Sequence, residues 1–421
     1  MNSIANALRG QVAGTAGWSA AAVAISAGTG IITARTLGPE GRGTLALVLS
    51  IAGLCVLVGS FGTNLSIRRH LPRRQRVTRR SYYRVSLLLV LPLTVILLGV
   101  VAFAAPIADP AFTQLPILIA FVGYGFSLYF STQALDLLNA VGSVRASSMI
   151  NALGSLACLL LVAACALMGL GLPFIAWSYS ISVLLQVVGA IAFVGGRGKS
   201  ERAGPGGVRL LLADGGRLLG LTLGQNLASR SDTVLLGVLS SQIQVGIYAV
   251  AITPATILRI PANALGQVLF HQSAAAMVGS REVLRKMAVV MLGLVPIALV
   301  GWFAAGWLIP LIFGPDFAGA VWPFRLLLIA EILLSPVLVL GKVLAGSRSP
   351  WSASASGMIG VIVLVVGCFI WIPEFGAIGA ALASVAAYAS MSALAVSLYL
   401  GGRAGRCNDQ PVLGKGSTLP N

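Results

Sequence analysis

The sequence predicts an all-α polytopic membrane protein of about twelve transmembrane helices, built as two six-helix halves related by an axis along the membrane normal. Three observations carry this. Of 421 residues, 57% are hydrophobic and only 9% are charged, whereas soluble domains carry about 25% charged residues. The apolar residues gather into segments of about 20 to 25, the length that crosses a hydrocarbon core of about 30 Å. Of the 28 Lys and Arg residues, 23 fall in seven polar stretches that recur after every second apolar segment.

The apolar spacing places helices near residues 11–35, 43–66, 85–107, 113–138, 147–170, 173–196, 218–239, 245–271, 287–312, 319–345, 352–371 and 376–400. The basic stretches are the N-terminus with Arg9, Arg68 to Arg84, Arg145, Arg197 to Arg217, Arg281 to Lys286, Lys342 to Arg348 and the tail from Arg403. By the positive-inside rule all of them face the cytoplasm. The intervening turns carry Glu40, Asp109, Asp316 and Glu374, with Arg42 as their clear cation, and face outward. Both termini are then expected inside. The first apolar segment is too long for a signal-peptide core and lacks a small-residue cleavage pattern, so it is expected to remain as an anchor.

Helix one presents Thr15, Ser19, Ser26 and Thr33 on one strip. Hydroxyls at this spacing suit close helix packing, or line a path. Arg35 points away from the strip and is placed to snorkel to the outer headgroups. The loop Arg68 to Arg84 sets topology, and its cations also attract anionic lipid headgroups at roughly 1 kcal/mol each. In helix four, Tyr129, Thr132, Gln133, Asp136 and Asn139 share a face, and Asp136 reads as a solvated helix end.

Polar residues concentrate in the second half. At 100° per residue, Thr222, Gln225, Asn226, Ser229, Arg230, Asp232 and Thr233 of helix seven fit within about 160°, opposite Leu223, Leu227, Val234 and Leu235. A mid-bilayer charge costs roughly 2.5 to 3.5 kcal/mol on the insertion scale, so Arg230 and Asp232 need a cavity or a partner. Helix eight answers with Thr253, Thr256, Arg259, Asn263, Gln267 and His271, and Pro254 and Pro261 predict a bend near Arg259. Helix ten adds Arg325 near its outer end and Glu331 near its middle. The alternative for each charge is a partner on another helix that only fastens the bundle. For Glu331 that partner would be Arg230 or Arg259. Candidate substrate contacts are therefore Arg230, Arg259, Arg325, Asn226, Gln225, Asn263 and Gln267, with Glu331 and Asp232 as candidate ion-coupling acids.

Other classes are excluded by what surrounds these residues. The net charge of +17 sits at helix ends where topology demands it, so no nucleic-acid partner is expected. Cys55, Cys158, Cys165, Cys368 and Cys407 form no metal or redox spacing. Gly198-Lys199-Ser200 resembles a P-loop ending, but the position that would hold its first Gly is Phe193, inside a membrane helix. No cofactor or metal site and no enzymatic activity are expected, and the outer turns are too short to house a polymerase.

The halves repeat. LNAVGSVRASSMINALGS from Leu138 is echoed by VLAGSRSPWSASASGMIG from Val343, and ADPAFTQLPILIA from Ala108 by GPDFAGAVWPFRLLLIA from Gly314. An even repeat preserves orientation and opens a cavity between halves. The expected organisation is residues 1–196, a basic linker 197–217, residues 218–400, and a disordered tail 401–421.

ARTLGPEGRGTLALVLS, from Ala34 to Ser50, resembles the helix-one to helix-two signature of polysaccharide-transporter flippases, the lipid-linked oligosaccharide branch of the multidrug/oligosaccharidyl-lipid/polysaccharide (MOP) exporter superfamily. VGIYAVAITPATILRIPANAL, from Val245, resembles the matching element of the second half, and Gly346 to Arg348 fits the family's inner turn. The resemblance runs over nearly the whole chain. It implies a MATE-like fold and a cationic cavity for the diphosphate and sugars of a polyprenyl-linked saccharide. Alternating access in a bacterial inner membrane would then feed cell-surface polysaccharide assembly, alongside a polysaccharide polymerase and glycosyltransferases. The competing expectation is a cation-coupled multidrug antiporter of the same superfamily, which three arginines disfavour by repelling a cationic substrate.

Overall fold

The computed structural model describes residues 2–71, 77–104, 114–195, 206–228, 230–274, 280–346 and 350–401. Asp109, most of the linker, Arg348 and the tail lie outside these residues. So do the side chains of Thr222, Gln225, Asn226, Gln267 and His271.

Every described regular element is helical. α1 (Asn2–Gly59) is two limbs joined at Gly38, whose φ of 66° and ψ of −176° reverse the chain within one residue. Glycine adopts that conformation without a Cβ penalty, and Pro39 then starts the second limb with its φ already set. The outward turn expected from 36 to 42 therefore contracts to Gly38, and Arg42 belongs to a helix. A turn at Phe61 and Gly62 interrupts the helix expected to run to 66, and a short helix, α2 (Thr63–His70), then extends into the expected loop.

α3 (Arg79–Gly99) is N-capped by Thr78 and runs on into a π turn. α4 (Leu115–Ala140), α5 (Val144–Leu167) and α6 (Leu172–Gly195) complete the first half. α7 (Gly207–Ala228) begins well before the expected start at 218. It stops short of α8 (Ser231–Leu239), so the expected continuous helix seven is broken.

α9 (Gln242–Ala255), a 3-10 turn (Thr256–Leu258) and α10 (Arg259–Ala274) form the bent helix that Pro254 and Pro261 predicted. α11 (Ser280–Phe313), α12 (Val321–Gly346), α13 (Pro350–Phe375) and α14 (Ala377–Gly401) follow. Among the described residues ten helices are long and apolar enough to cross a membrane. One of them, α1, holds two apolar limbs, and the broken α7–α8 lies where the seventh helix was expected.

In the first half α1 packs on α4 and α5, and α6 on α4 and α5. In the second, α14 packs on α12 and α13, and α12 on α10 and α11. The inner face of α14 buries Ala377, Gly379, Ala380, Ala383, Ser384 and Ala387, small residues that let neighbouring backbones approach. Leu91, Leu292 and Phe303 are more than 70% exposed and form the lipid-facing surface. The halves meet along α1 with α9, and along α2 and α3 with α7.

Polar contacts bind that seam at both ends. At the basic end Asp214 of α7 accepts from Ser66 (3.4 Å), lies 3.0 Å from His70 Nε2 and 3.4 Å from Arg69, all on α2. At the opposite end Arg35 donates to the carbonyls of Leu311 (2.6 Å) and Ile312 (2.8 Å). Arg35 therefore caps the C-terminus of α11, where unpaired carbonyls favour a cation, rather than snorkelling to headgroups. Asp136 is also corrected: it is buried and ion-paired with Arg68 of α2, not a solvated end.

Candidate functional site

The second half encloses two buried carboxylates on separate helices. Asp232 stands in the first turn of α8, fully buried, where the helix N-terminus favours negative charge. Its Oδ2 accepts from Tyr248 of α9 at 2.6 Å and from Ser384 of α14 at 3.3 Å. Its Oδ1 accepts from the Thr233 backbone at 2.6 Å and the Thr233 hydroxyl at 3.2 Å. All four donors are neutral. The break before α8 creates this arrangement, because it supplies a free helix start inside the bundle.

Glu331 of α12 is likewise fully buried, and Arg259 answers it. Arg259 opens α10 just after the 3-10 turn and donates Nε to Glu331 Oε2 at 2.5 Å. Its Nη2 lies 3.4 Å from the Tyr388 hydroxyl, and its guanidinium carbon 6.0 Å from the Tyr388 ring centre. Among the described residues Glu331 Oε1 finds no hydrogen-bond partner. Arg259 is thus ion-paired with Glu331 alone, and Asp232 stands within electrostatic range of that pair in a cluster drawn from α8, α9, α10, α12 and α14. Of the two partners the sequence left open for Glu331, the structure supplies Arg259.

Arg230 takes a different course. It is the residue before α8, with non-helical φ of −134° and ψ of −20°, and is exposed. Its guanidinium lies against Gly53 of the second limb of α1, so closely that a Cβ there would overlap it. It also lies within electrostatic range of Tyr124 of α4. Arg230 thus extends from the second half to the first, and none of the ion pairs among the described residues includes it.

The other expected contacts are dispersed. Arg325 is not brought to the cluster: it donates to the Trp302 carbonyl at 3.1 Å and stacks 5.5 Å from Trp302 and 5.0 Å from Trp322. Asn263 accepts from Lys342 Nζ through its carbonyl (3.2 Å) and side chain (3.0 Å), which joins α10 to α12. Gln225, Asn226 and Gln267 fall among the side chains outside the description. The three guanidiniums of Arg230, Arg259 and Arg325 consequently do not form one group. One is ion-paired, one stacks on indoles, and one reaches across the seam.

Sequence reasoning missed several members. Tyr248, Tyr388 and Ser384 were not singled out, because aromatic and small side chains on apolar helices give no separate signal. Arg42 read as a loop cation. The Gly38-Pro39 pair, a turn followed by a helix start, was the signal that places Arg42 within the second limb.

A family model described as "Polysaccharide biosynthesis protein" matches residues 16–270. No curated protein sequence matches the chain. Among solved structures, the lipid II flippase MurJ in its inward closed conformation aligns with a TM-score of 0.70 at 10% identity, covering 92% of this chain and 88% of that one. An inward-facing multidrug resistance MATE family transporter of the MOP superfamily aligns at 0.65 and 13% identity, covering 91% and 94%. A Pyrococcus furiosus MOP superfamily transporter, reported with a binding pocket of reversed polarity, aligns at 0.59 and 12% identity over 93% and 94%. The shared architecture is the MOP fold.

Proposed function

Because this chain belongs to the polysaccharide biosynthesis protein family, we propose that it is a flippase for a polyprenyl-diphosphate-linked oligosaccharide. It moves the saccharide headgroup from the cytoplasmic to the outer leaflet of a bacterial inner membrane, with both termini cytoplasmic. A polysaccharide polymerase and glycosyltransferases act on either side of this step. The observation that carries the reading is Arg230, an arginine held across the seam between the halves with no carboxylate beside it among the described ion pairs.

Planar guanidinium groups match phosphate oxygens in charge and geometry. Arg230 is positioned to receive the diphosphate as the halves part. Arg259 is held in reserve by Glu331. Removing one partner of a buried pair costs about 3 to 5 kcal/mol, so Arg259 turns to substrate only when something replaces Glu331's cation. A proton or Na⁺ arriving at Glu331 Oε1, which has no partner among the described residues, meets that need, and this couples an ion gradient to release of Arg259.

The same acids support the second reading. Two buried carboxylates with one arginine, paired to Glu331, in their neighbourhood offer room for one further positive charge, and a cation-coupled multidrug antiporter would use it for drug or ion exchange. Proteoliposomes separate the two. With a fluorescent lipid-diphosphate saccharide, flipping is expected and should fall at least tenfold in Arg230→Ala. Undiminished flipping in that variant removes Arg230 from the path. Counter-transport of organic cations without lipid flipping would establish the antiporter instead.

A further inference from the structure

Arg42 lies in the second limb of α1 and is only 8% exposed, yet its Nε finds no hydrogen-bond partner among the described residues. None of the ion pairs among the described residues includes it. A buried guanidinium without a counter-charge costs several kcal/mol, a penalty that persists only where the charge serves something other than packing.

Its surroundings are hydroxyls of the first half and a methyl group of the second. The phenol of Tyr179 on α6 lies within electrostatic range of Arg42, of Tyr124, and of the Thr33 hydroxyl. Gly30 of the first limb leaves a gap bordered by Arg42 Nη2 and the Thr253 methyl of α9, which stand 3.7 and 3.5 Å from where its Cβ would be. Thr253 belongs to the second half. The guanidinium therefore sits at the seam, shielded while the halves are closed and uncovered when they separate. Tyr124, within range of both Tyr179 and Arg230, connects Arg42 to Arg230 by way of Tyr179.

We propose that Arg42, with Tyr179, Tyr124 and Thr33, forms a second oxyanion-binding station on the transport path, nearer the outward end than Arg230. The inference rests on the flippase reading for its biological substrate. The shared chemistry is a planar or tetrahedral oxyanion, supplied either by the diphosphate in transit or by a carboxylate on an acidic saccharide.

The test uses the full chain in nanodiscs, titrated by calorimetry with inorganic pyrophosphate and, separately, with glucuronate. Wild-type protein should bind at least one, and Arg42→Met should weaken that binding at least tenfold while Arg42→Lys retains part of it. Selective loss of pyrophosphate binding identifies the diphosphate as the source, and selective loss of glucuronate binding identifies an acidic sugar. Arg42→Met should melt no lower than wild type, because an apolar chain of similar length replaces an uncompensated charge.

A wild type that binds neither anion, an Arg42→Met that binds as wild type does, or one that melts several degrees lower would each overturn the site. The flippase reading is judged separately. Arg42-dependent anion binding without movement of a lipid-linked saccharide defeats only that reading. Movement with anion binding indifferent to Arg42 defeats only this station.

Discussion

Gly43 and Gly246 cross so closely that each lies on the backbone of the other's helix one turn earlier. A Cβ on Gly43 would overlap the Gln242 carbonyl, and a Cβ on Gly246 would overlap the Pro39 carbonyl. The contact is reciprocal, i to i−4 on both sides, as expected where two related halves face one another. It closes the seam at the end away from the basic stretches.

Gly246→Leu should hold that end open. The added side chain has no room between backbones, and overpacking of this kind typically costs about 1 to 3 kcal/mol in the closed form. In a cysteine-free background, a cysteine at Gln242 should then react several-fold faster with a membrane-impermeant maleimide, and flipping should stop. An unchanged labelling rate would show that the crossing is not a gate.

Arg259 and Glu331 should behave as a unit. Glu331→Ala or Arg259→Ala leaves a buried charge uncompensated and should destabilise the protein by about 3 to 5 kcal/mol. Replacing both with Met should recover most of the thermal stability in detergent while transport stays lost. Additive destabilisation in the double variant would show that the two residues do not depend on one another.

Asp214→Ala should loosen the basic end. The bonds to Ser66, Arg69 and His70 are 3.0 to 3.4 Å long, and Arg69 is half exposed, so the loss in stability should stay within about 1 kcal/mol. The visible effect should be on conformation, as faster labelling of a cysteine placed at Ser66. Labelling indistinguishable from wild type would assign the seam's closure at that end to backbone packing alone.

Arg325→Ala should leave flipping within about twofold of wild type. Its guanidinium is occupied by two indoles and a carbonyl, and the loss of cation–π stacking should cost about 1 kcal/mol of stability. A tenfold fall in transport would return Arg325 to the substrate path.

The membrane passes were legible because two independent signals agree on them, apolar length and the placement of cations. The bend at Pro254 and Pro261 was legible because a missing N–H leaves a local mark. The break at Arg230 was not, since no proline or glycine signals it. It goes with a tertiary arrangement, the burial of Asp232 against Tyr248 and Ser384 of other helices, which no local pattern records. For the same reason the pairing of Arg259 with Glu331 could be offered as one of two options but not chosen. A sequence records which charges enter the membrane, and only packing determines which meet. Arg42 was misplaced by the helix boundary alone, because a turn of one residue at Gly38 puts it a full helical turn inside the bundle.

The interruption between α7 and α8 divides one membrane pass between two allegiances. Its later piece is tied through Asp232 to α9 and α14, whereas its earlier piece is strapped through Asp214 to α2 across the divide. A rigid rod fastened at both places would have to swing as a whole and tear one attachment. A jointed one can tilt its earlier portion and leave the later anchorage undisturbed, so the cost of each cycle falls on a few backbone torsions near Arg230 and not on the acid cluster beyond it.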